Sequence, residues 1–141
     1  MTTNTAPLLT IDDLTALPDD LNTYELIEGE LIVSGMPTLT HQRVIGELLY
    51  PIASYLNENP FGEVLPISPG RENARRDRVK KLRVYGKFGV GEYWVADPEA
   101  RTVEIYRPAG GALALVATVG GDEEITSPLL PGFVCKVSRV F

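Results

Sequence analysis

The chain has 141 residues, of which 44% are hydrophobic and 23% are charged, and its formal net charge is −6 at pH 7. This length is sufficient for one buried core, so we expect a single domain spanning 1–141. The only cysteine, Cys135, excludes an internal disulfide and offers no metal-binding spacing. No apolar run is long enough to span a membrane, and the amino terminus has no signal-peptide pattern. We therefore expect a cytoplasmic protein without a membrane partner.

The basic residues are concentrated in one segment. Residues 71–87 contain eight of the 13 lysines and arginines, together with only Glu72 and Asp77 as acidic residues. The segment therefore has a net charge of +6, and the rest of the chain has −12. An acidic protein does not attract nucleic acid with its whole surface, but a basic face on it can bind phosphates locally.

The amino-terminal half is predicted to contain two helices and a hairpin. Thr10 and Asp13 resemble a capping box, which predicts a short helix. Two strand patterns flank Glu28-Gly29, which favours a hairpin because glycine adopts positive φ easily. Apolar residues at three- and four-residue spacing then predict a long helix over 40–59, with Thr40 as its cap. Pro51 lies inside this pattern and predicts a kink or a break.

The remainder of the chain is predicted to be one helix among strands. The segment 61–67 is a strand candidate, and 74–86 is the basic helix. The strand at 92–96 is apolar on both faces, so we expect it to be central in the sheet, with Trp94 largely buried. Further strands are predicted at 101–107 and 112–119, with a last extended pair around Ile125 and 133–137.

The basic helix offers one candidate catalytic group. Asp77, Lys81 and Tyr85 lie four residues apart and share one face of the helix. In a functional interpretation, Lys81 neutralises a phosphate and Asp77 holds it in position. In the structural alternative, Asp77 and Lys81 form an ion pair on a solvated face, worth a few tenths of a kcal/mol. Spacing alone favours this alternative by roughly two to one.

Glu63 is the candidate metal ligand. Nucleases that use two carboxylates need acids that converge on Mg²⁺ and a nearby lysine. A single glutamate matches this requirement poorly, because protein-bound Mg²⁺ usually takes one or two carboxylates plus substrate oxygens. An exposed glutamate at a strand edge is the favoured interpretation.

The segment 68–107 reads SPGRENARRDRVKKLRVYGKFGVGEYWVADPEARTVEIYR. It resembles the carboxy-terminal half of a putative restriction endonuclease family with a PD-(D/E)XK-like fold, which is expanded in cyanobacteria and related bacteria. The stretches YELIEGEL, HQR and SPLLPG elsewhere in the chain match the family as well, so the likeness covers nearly the whole sequence. The matching positions in the central motif are Ser68-Pro69, Asn73, Arg76-Asp77, Lys81-Leu82, Tyr85, Gly89-Val90 and Glu92-Tyr93-Trp94.

The resemblance implies an α/β (α+β) domain with a mixed β-sheet flanked by helices. It also implies an Mg²⁺-dependent DNA endonuclease, a hydrolase, in which Lys81 corresponds to the catalytic lysine. In the family, two strands precede the Ser-Pro turn; one carries Pro-Asp and the other a glutamate three residues before the serine. Here Leu65 stands at that glutamate position, and no Pro-Asp occurs between Phe61 and Ser68. We therefore expect loss of about two strands and of both metal carboxylates, impaired catalysis, and weak or absent Mg²⁺ binding.

Two alternatives stay open. An active endonuclease would use Glu63, Asp77 and Lys81, with Glu63 on the metal and the site completed either within one chain or across a dimer. A module that binds DNA or protein would retain only the basic helix. Because losing two strands leaves an unpaired sheet edge, we also expect a homodimer. The predicted DNA-binding residues are Arg75, Arg76, Arg78 and Lys80.

Overall fold

The computed structural model describes residues 7–35, 37–66 and 74–141, with the side chains of 34 and 74–77 left out of the description. The helices are α1 (Ile11–Thr15), α2 (Leu39–Glu58) and α3 (Ala74–Lys87), and a 3-10 turn covers Val137–Arg139. The strands are β1 (Thr23–Ile27), β2 (Glu30–Ser34), β3 (Tyr93–Asp97), β4 (Thr102–Ala109), β5 (Ala112–Gly120), β6 (Glu124–Ser127) and β7 (Leu130–Lys136).

The predicted α+β class is confirmed. The strands form three sheets with the orders β1-β2, β3-β4-β5 and β6-β7. Every pair among the described strands is antiparallel, so the parallel pair that a mixed sheet requires is not among them.

The chain divides into two compact units. In the described part of the chain, unit 1 contains 7–35, 37 and 74–80, and unit 2 contains 38–66 and 81–141. The boundary crosses α3 after Lys80. That the whole chain acts as one domain stays a prediction.

Unit 1 is built on the predicted hairpin and short helix. The β1–β2 turn is closed by Glu28 and Gly29, whose φ angles of 50° and 79° are those of a tight hairpin turn. The backbone N–H of Leu9 donates to the Gly29 carbonyl at 2.8 Å. Before α1, the N–H and the hydroxyl of Thr10 donate to Asp13 Oδ2 at 2.8 and 3.0 Å. These bonds favour the carboxylate and lower the pKa of Asp13.

In unit 2, α2 supplies one wall of the core. Its cap is Thr38 rather than the predicted Thr40, because the Thr38 hydroxyl accepts the His41 N–H at 3.2 Å. The helix continues through Pro51, so the break considered from the sequence does not occur. Its buried face is formed by Val44, Leu48 and Ile52.

The position predicted for β3 is wrong. In the described sheet β4 is central and β3 is an edge strand, while Trp94 is partly buried against the larger hydrophobic cluster. The apolar character of β3 has another cause. Trp94 and Ala96 belong to the larger hydrophobic cluster, while Tyr93 and Val95 belong to a second one. Both faces of the strand are therefore covered, although only one edge is paired.

The strand predicted at 61–67 is also corrected. Residues 61–66 have no regular secondary structure, and the remainder of the candidate lies outside the described residues. Gly62 and Pro66 explain the difference, since glycine weakens a strand and proline cannot donate to its ladder. Both Glu63 and Leu65 are exposed on this irregular segment.

Candidate functional site

Unit 2 contains a cavity of about 670 Å³. Its walls come from the apolar face of α2, the irregular segment 61–66, the end of α3 with the residues leading into β3, and the β6–β7 turn. A cavity of this size, lined mainly by hydrophobic side chains with a few polar groups, is typical of small-molecule sites. A polar cluster lies beside this cavity.

A buried carboxylate is the centre of that polar cluster. The Glu92 side chain is only 7% exposed. Its Oε1 accepts the indole N–H of Trp94 at 2.6 Å. Its Oε2 accepts the Ser127 hydroxyl at 2.6 Å and the Arg107 Nε–H at 3.3 Å. We call these four residues the Glu92 cluster.

Strand geometry assembles the Glu92 cluster. Alternate residues of an extended chain point to the same side, so Glu92 and Trp94 can meet. The pairing of Tyr93 with Tyr106 brings the neighbouring residues, Glu92 and Arg107, beside each other. Ser127 ends β6, and its hydroxyl also accepts the Leu129 N–H at 3.1 Å. The cluster therefore ties two sheets of unit 2 together.

The chemistry available to Glu92 follows from these bonds. Three donors, one of them a guanidinium, share its two oxygens, which is how a buried charge is kept stable. The carboxylate is thereby fixed in place as an acceptor. It is a structural junction at the edge of the cavity.

Lys81, the predicted catalytic lysine, is buried on α3 with an exposed fraction of 3%. The solvated helix face considered for it is therefore wrong. A lysine that is almost fully buried needs polar partners, and Lys81 has them within the chain. The side chain of Asp77, its predicted neighbour, lies outside the described side chains.

The predicted DNA-binding residues have different surroundings. Lys80 forms an ion pair with Glu30 on β2, so its charge is already compensated within unit 1. Arg78 is half-buried and interacts within the chain. The side chains of Arg75 and Arg76 fall outside the description.

Glu63 lines the cavity from the irregular segment, and Glu92 lines it from the approach to β3. No group of three or more His, Cys, Asp or Glu side chains in the described part of the chain is arranged to hold a metal. The oxygens of Glu92 are shared among three protein donors, so Glu63 gains no ready second ligand there.

The sequence model of a protein family matches residues 67–138, and the family is described as Uma2, putative restriction endonuclease. The chain belongs to this family. Comparison with curated proteins gives no match. The Uma2 match contains α3, Lys81 and the whole Glu92 cluster, and it begins after Glu63 and Leu65. The family resemblance recognised from the sequence is thus confirmed, with the match confined to the carboxy-terminal half.

Sequence reasoning missed the Glu92 cluster. The Glu-Tyr-Trp triplet was recognised as part of the family motif, but Trp94 was interpreted as core packing and Glu92 received no role. A charged residue directly before an apolar strand was the available signal. Nothing in the sequence identifies Arg107 and Ser127 as its partners, because they are 15 and 35 residues away.

Among the described residues, no helix combines the length and apolar character that crossing a membrane requires. This finding concerns α2 in particular, which is long enough at 20 residues. Its exposed side carries polar and charged residues such as Gln42 and Glu47.

Proposed function

We propose that this Uma2 protein is a catalytically impaired relative of the endonucleases, which binds DNA weakly and does not cleave it in a metal-dependent reaction. The proposal rests mainly on which residue precedes the Ser68-Pro69 turn and on the backbone that holds it. Leu65 occupies the place where the family resemblance expects a metal-binding glutamate, and it is 71% exposed on an irregular segment. Such a position supplies no carboxylate to a metal and no strand to hold one.

The environment of Glu63 supports the same proposal. Residues 63 and 65 of an extended chain are about 7 Å apart, so Glu63 is offset from the expected position by one strand repeat. It lies exposed on the irregular segment and does not belong to a ladder. Metal-assisted hydrolysis needs a cation fixed where it lowers the pKa of a water and contacts a phosphate oxygen. A single unconstrained carboxylate supports that arrangement poorly.

The DNA-binding part of the proposal rests on charge. The net charge of +6 over residues 71–87 attracts phosphates, while the surrounding chain is strongly acidic. Arg83 and Lys87 are exposed on the carboxy-terminal half of α3. Because the Lys80 charge is shared with Glu30, we expect few effective phosphate contacts. Binding should therefore be weak and should fade with salt.

A nicking assay tests the catalytic part. Supercoiled plasmid is incubated with the parent chain and either Mg²⁺ or Mn²⁺, beside Lys81→Ala and Glu63→Ala. We expect all three proteins to give the same background nicking with either metal. Cleavage by the parent chain that both substitutions abolish would overturn the proposal. It would establish instead an active site with Glu63, Asp77 and Lys81.

A salt titration tests the binding part. The double variant Arg75→Ala/Arg76→Ala is compared with the matched double variant Lys136→Ala/Arg139→Ala, whose residues are exposed near the carboxy terminus. Each lost phosphate contact should reduce the slope of log K against log salt by about 1. We expect the first variant to reduce the slope by up to about 2 and the second to leave it unchanged. Equal effects would show that binding is not local to α3.

We also propose that the chain acts in the cytoplasm as a homodimer. Support for association comes from the exposed apolar side chains of Val116 on β5 and Val134 on β7 in unit 2, both outside the cavity. Light scattering at several concentrations measures the molar mass. A constant monomer mass up to high concentration would contradict the dimer.

A further inference from the structure

The cavity of unit 2 has a charge pattern of its own. Two acidic residues, Glu63 and Glu92, line it, whereas lysine, arginine and histidine are missing from its lining within the described residues. Glu92 is largely neutralised by the Arg107 guanidinium. Glu63 is exposed and forms no hydrogen bond or ion pair with any side chain in the described ranges. The electrostatic character of this cavity therefore comes mainly from Glu63.

Aromatic rings contribute to the same lining. Phe61 and Trp94 line the cavity on the side of α2, whereas Tyr85 and Tyr93, which also border it, pack in the second hydrophobic cluster. The faces of such rings attract cations through their quadrupoles. The rings of Phe61 and Trp94, the Glu63 carboxylate, which has no partner among the described residues, and the aliphatic face of α2 together complement an apolar cation.

The same features disfavour other ligands. An anionic ligand, including a phosphate or a fatty acid, would enter an apolar space next to carboxylates, and the described residues of its wall offer no basic group. A strongly hydrated inorganic cation would lose water against aliphatic side chains. An organic ammonium group carried on a ring or short chain avoids both costs, because its body replaces water in the apolar part.

We propose that the cavity between α2, the segment 61–66 and the start of β3 is a binding site for small apolar organic cations, with Glu63 as the charge partner. The aliphatic face of α2, with Leu48, Leu49 and Ile52, receives the apolar body. A volume of about 670 Å³ accommodates a two-ring molecule. The inference concerns unit 2 alone and does not rest on DNA binding or cleavage.

Trp94 provides a direct readout. It is the only tryptophan, so its indole N–H gives a single signal in a ¹H–¹⁵N NMR spectrum. That N–H is bonded to Glu92 at the cavity wall, so an occupant should shift its signal. The probes are three molecules with the same ring system: 2-naphthylmethylammonium, 2-naphthylmethanol and 2-naphthoate. They differ in charge and share the apolar body.

The expected order of affinity is ammonium, then alcohol, then carboxylate. For molecules of this size we expect a Kd of about 1 mM or below for the ammonium. The ammonium should bind about two- to tenfold more tightly than the alcohol, from an exposed ion pair and a cation–π contact. The titrations are performed at 150 mM salt, chosen because it screens unspecific attraction to the acidic chain.

Two matched pairs of variants locate the site. Glu63→Gln should weaken the ammonium about two- to fivefold and leave the alcohol unchanged. Glu58→Gln, an exposed acid on α2 outside the cavity, should change neither. Leu49→Phe, which narrows the cavity, should weaken the ammonium and the alcohol. Leu115→Phe, on an exposed position of β5, should weaken neither.

Several results would overturn the proposal. One is a Trp94 signal that does not shift saturably up to about 10 mM ammonium, a concentration well above the expected Kd. Another is naphthoate binding as tightly as the ammonium. A third is an equal effect of Glu63→Gln and Glu58→Gln, which would assign the preference to the overall charge. Unchanged dispersion of the backbone signals in each variant confirms that it is folded.

Discussion

The Glu92 cluster in unit 2 and the Lys80–Glu30 pair in unit 1 use charge in opposite ways. Glu92 is almost completely buried and accepts three hydrogen bonds from three different parts of the chain. Lys80 and Glu30 keep 15% and 47% of their side chains exposed. Because Glu30 is far more exposed than Glu92, water screens the Lys80–Glu30 pair more than the bonds to Glu92. We therefore expect the Lys80–Glu30 pair to contribute less to stability than the Glu92 cluster.

The largest effect should come from Glu92→Ala. The substitution leaves the Trp94 N–H, the Ser127 hydroxyl and the Arg107 guanidinium without their acceptor. Removing one partner of a buried charged network costs about 3–5 kcal/mol in the free energy of unfolding. Urea unfolding followed by circular dichroism measures the change. Glu99→Ala, at an exposed turn, is the matched control and should stay within about 0.5 kcal/mol of the parent.

The cluster should also show coupling. Ser127→Ala removes one of the three donors and should cost about 1 kcal/mol. In the double variant Glu92→Ala/Ser127→Ala, the two costs should not add, since the Ser127 hydroxyl has already lost its acceptor. Additive costs would mean that the hydrogen bond from Ser127 to Glu92 contributes nothing to stability in solution. The expected difference from the Lys80–Glu30 pair would then be contradicted.

Alanine substitutions at two glycines in helices show whether packing or helix propensity has the larger effect on stability. A Cβ on Gly86 in α3 would lie 2.7 Å from the Ala112 Cα and 2.8 Å from its carbonyl carbon. A Cβ on Gly46 in α2 would meet no atom within 4 Å. Gly86→Ala should therefore cost about 1–3 kcal/mol despite its better helix propensity. Gly46→Ala should gain about 0.5–1 kcal/mol. Thermal unfolding of both variants gives the comparison, and a stabilised Gly86→Ala would refute the close contact.

The ion pair in unit 1 should be weak. Glu30→Gln removes its charge but keeps its size, and we expect a loss of at most about 1 kcal/mol. The loss should shrink further in 1 M salt, where the Debye length is about 3 Å. An unfolding titration at low and high salt measures both values. A loss of unfolding free energy as large as that for Glu92→Ala would contradict the expected difference between the two regions.

The smallest effect concerns Cys135. Burial raises the pKa of this thiol, and the nearby Arg139 charge lowers it by less. A raised pKa means that the folded state holds the proton more tightly than the unfolded state. The resulting stabilisation is complete below the unfolded pKa and is lost as pH rises through the folded pKa. Urea midpoints should therefore fall more between pH 8 and 10 for the parent than for Cys135→Ala; parallel curves would contradict this.

Local patterns in the sequence predicted most of the secondary structure. The turn at Glu28-Gly29, the apolar spacing in α2 and the alternation in β4 each depend on neighbouring residues, so they could be recognised without the fold. The prediction for 61–67 was wrong because the irregular residues have strand-like composition without a pairing partner in the described chain. The place of β3 was also wrong. Its apolar residues pack into two hydrophobic clusters, one on each face. The resulting sequence pattern is the same as that of a central strand.

The sequence alone determined the family, through the motif from Ser68 to Trp94, and the charge asymmetry around α3. It also identified Leu65 at a position where a carboxylate was expected. Only the tertiary structure showed that Lys81 is buried, that Lys80 is paired with Glu30, and that Glu92 has three partners. The physical reason is separation along the chain. Burial and hydrogen bonding depend on residues that are distant in sequence and adjacent in space, whereas motif and charge are properties of one continuous segment.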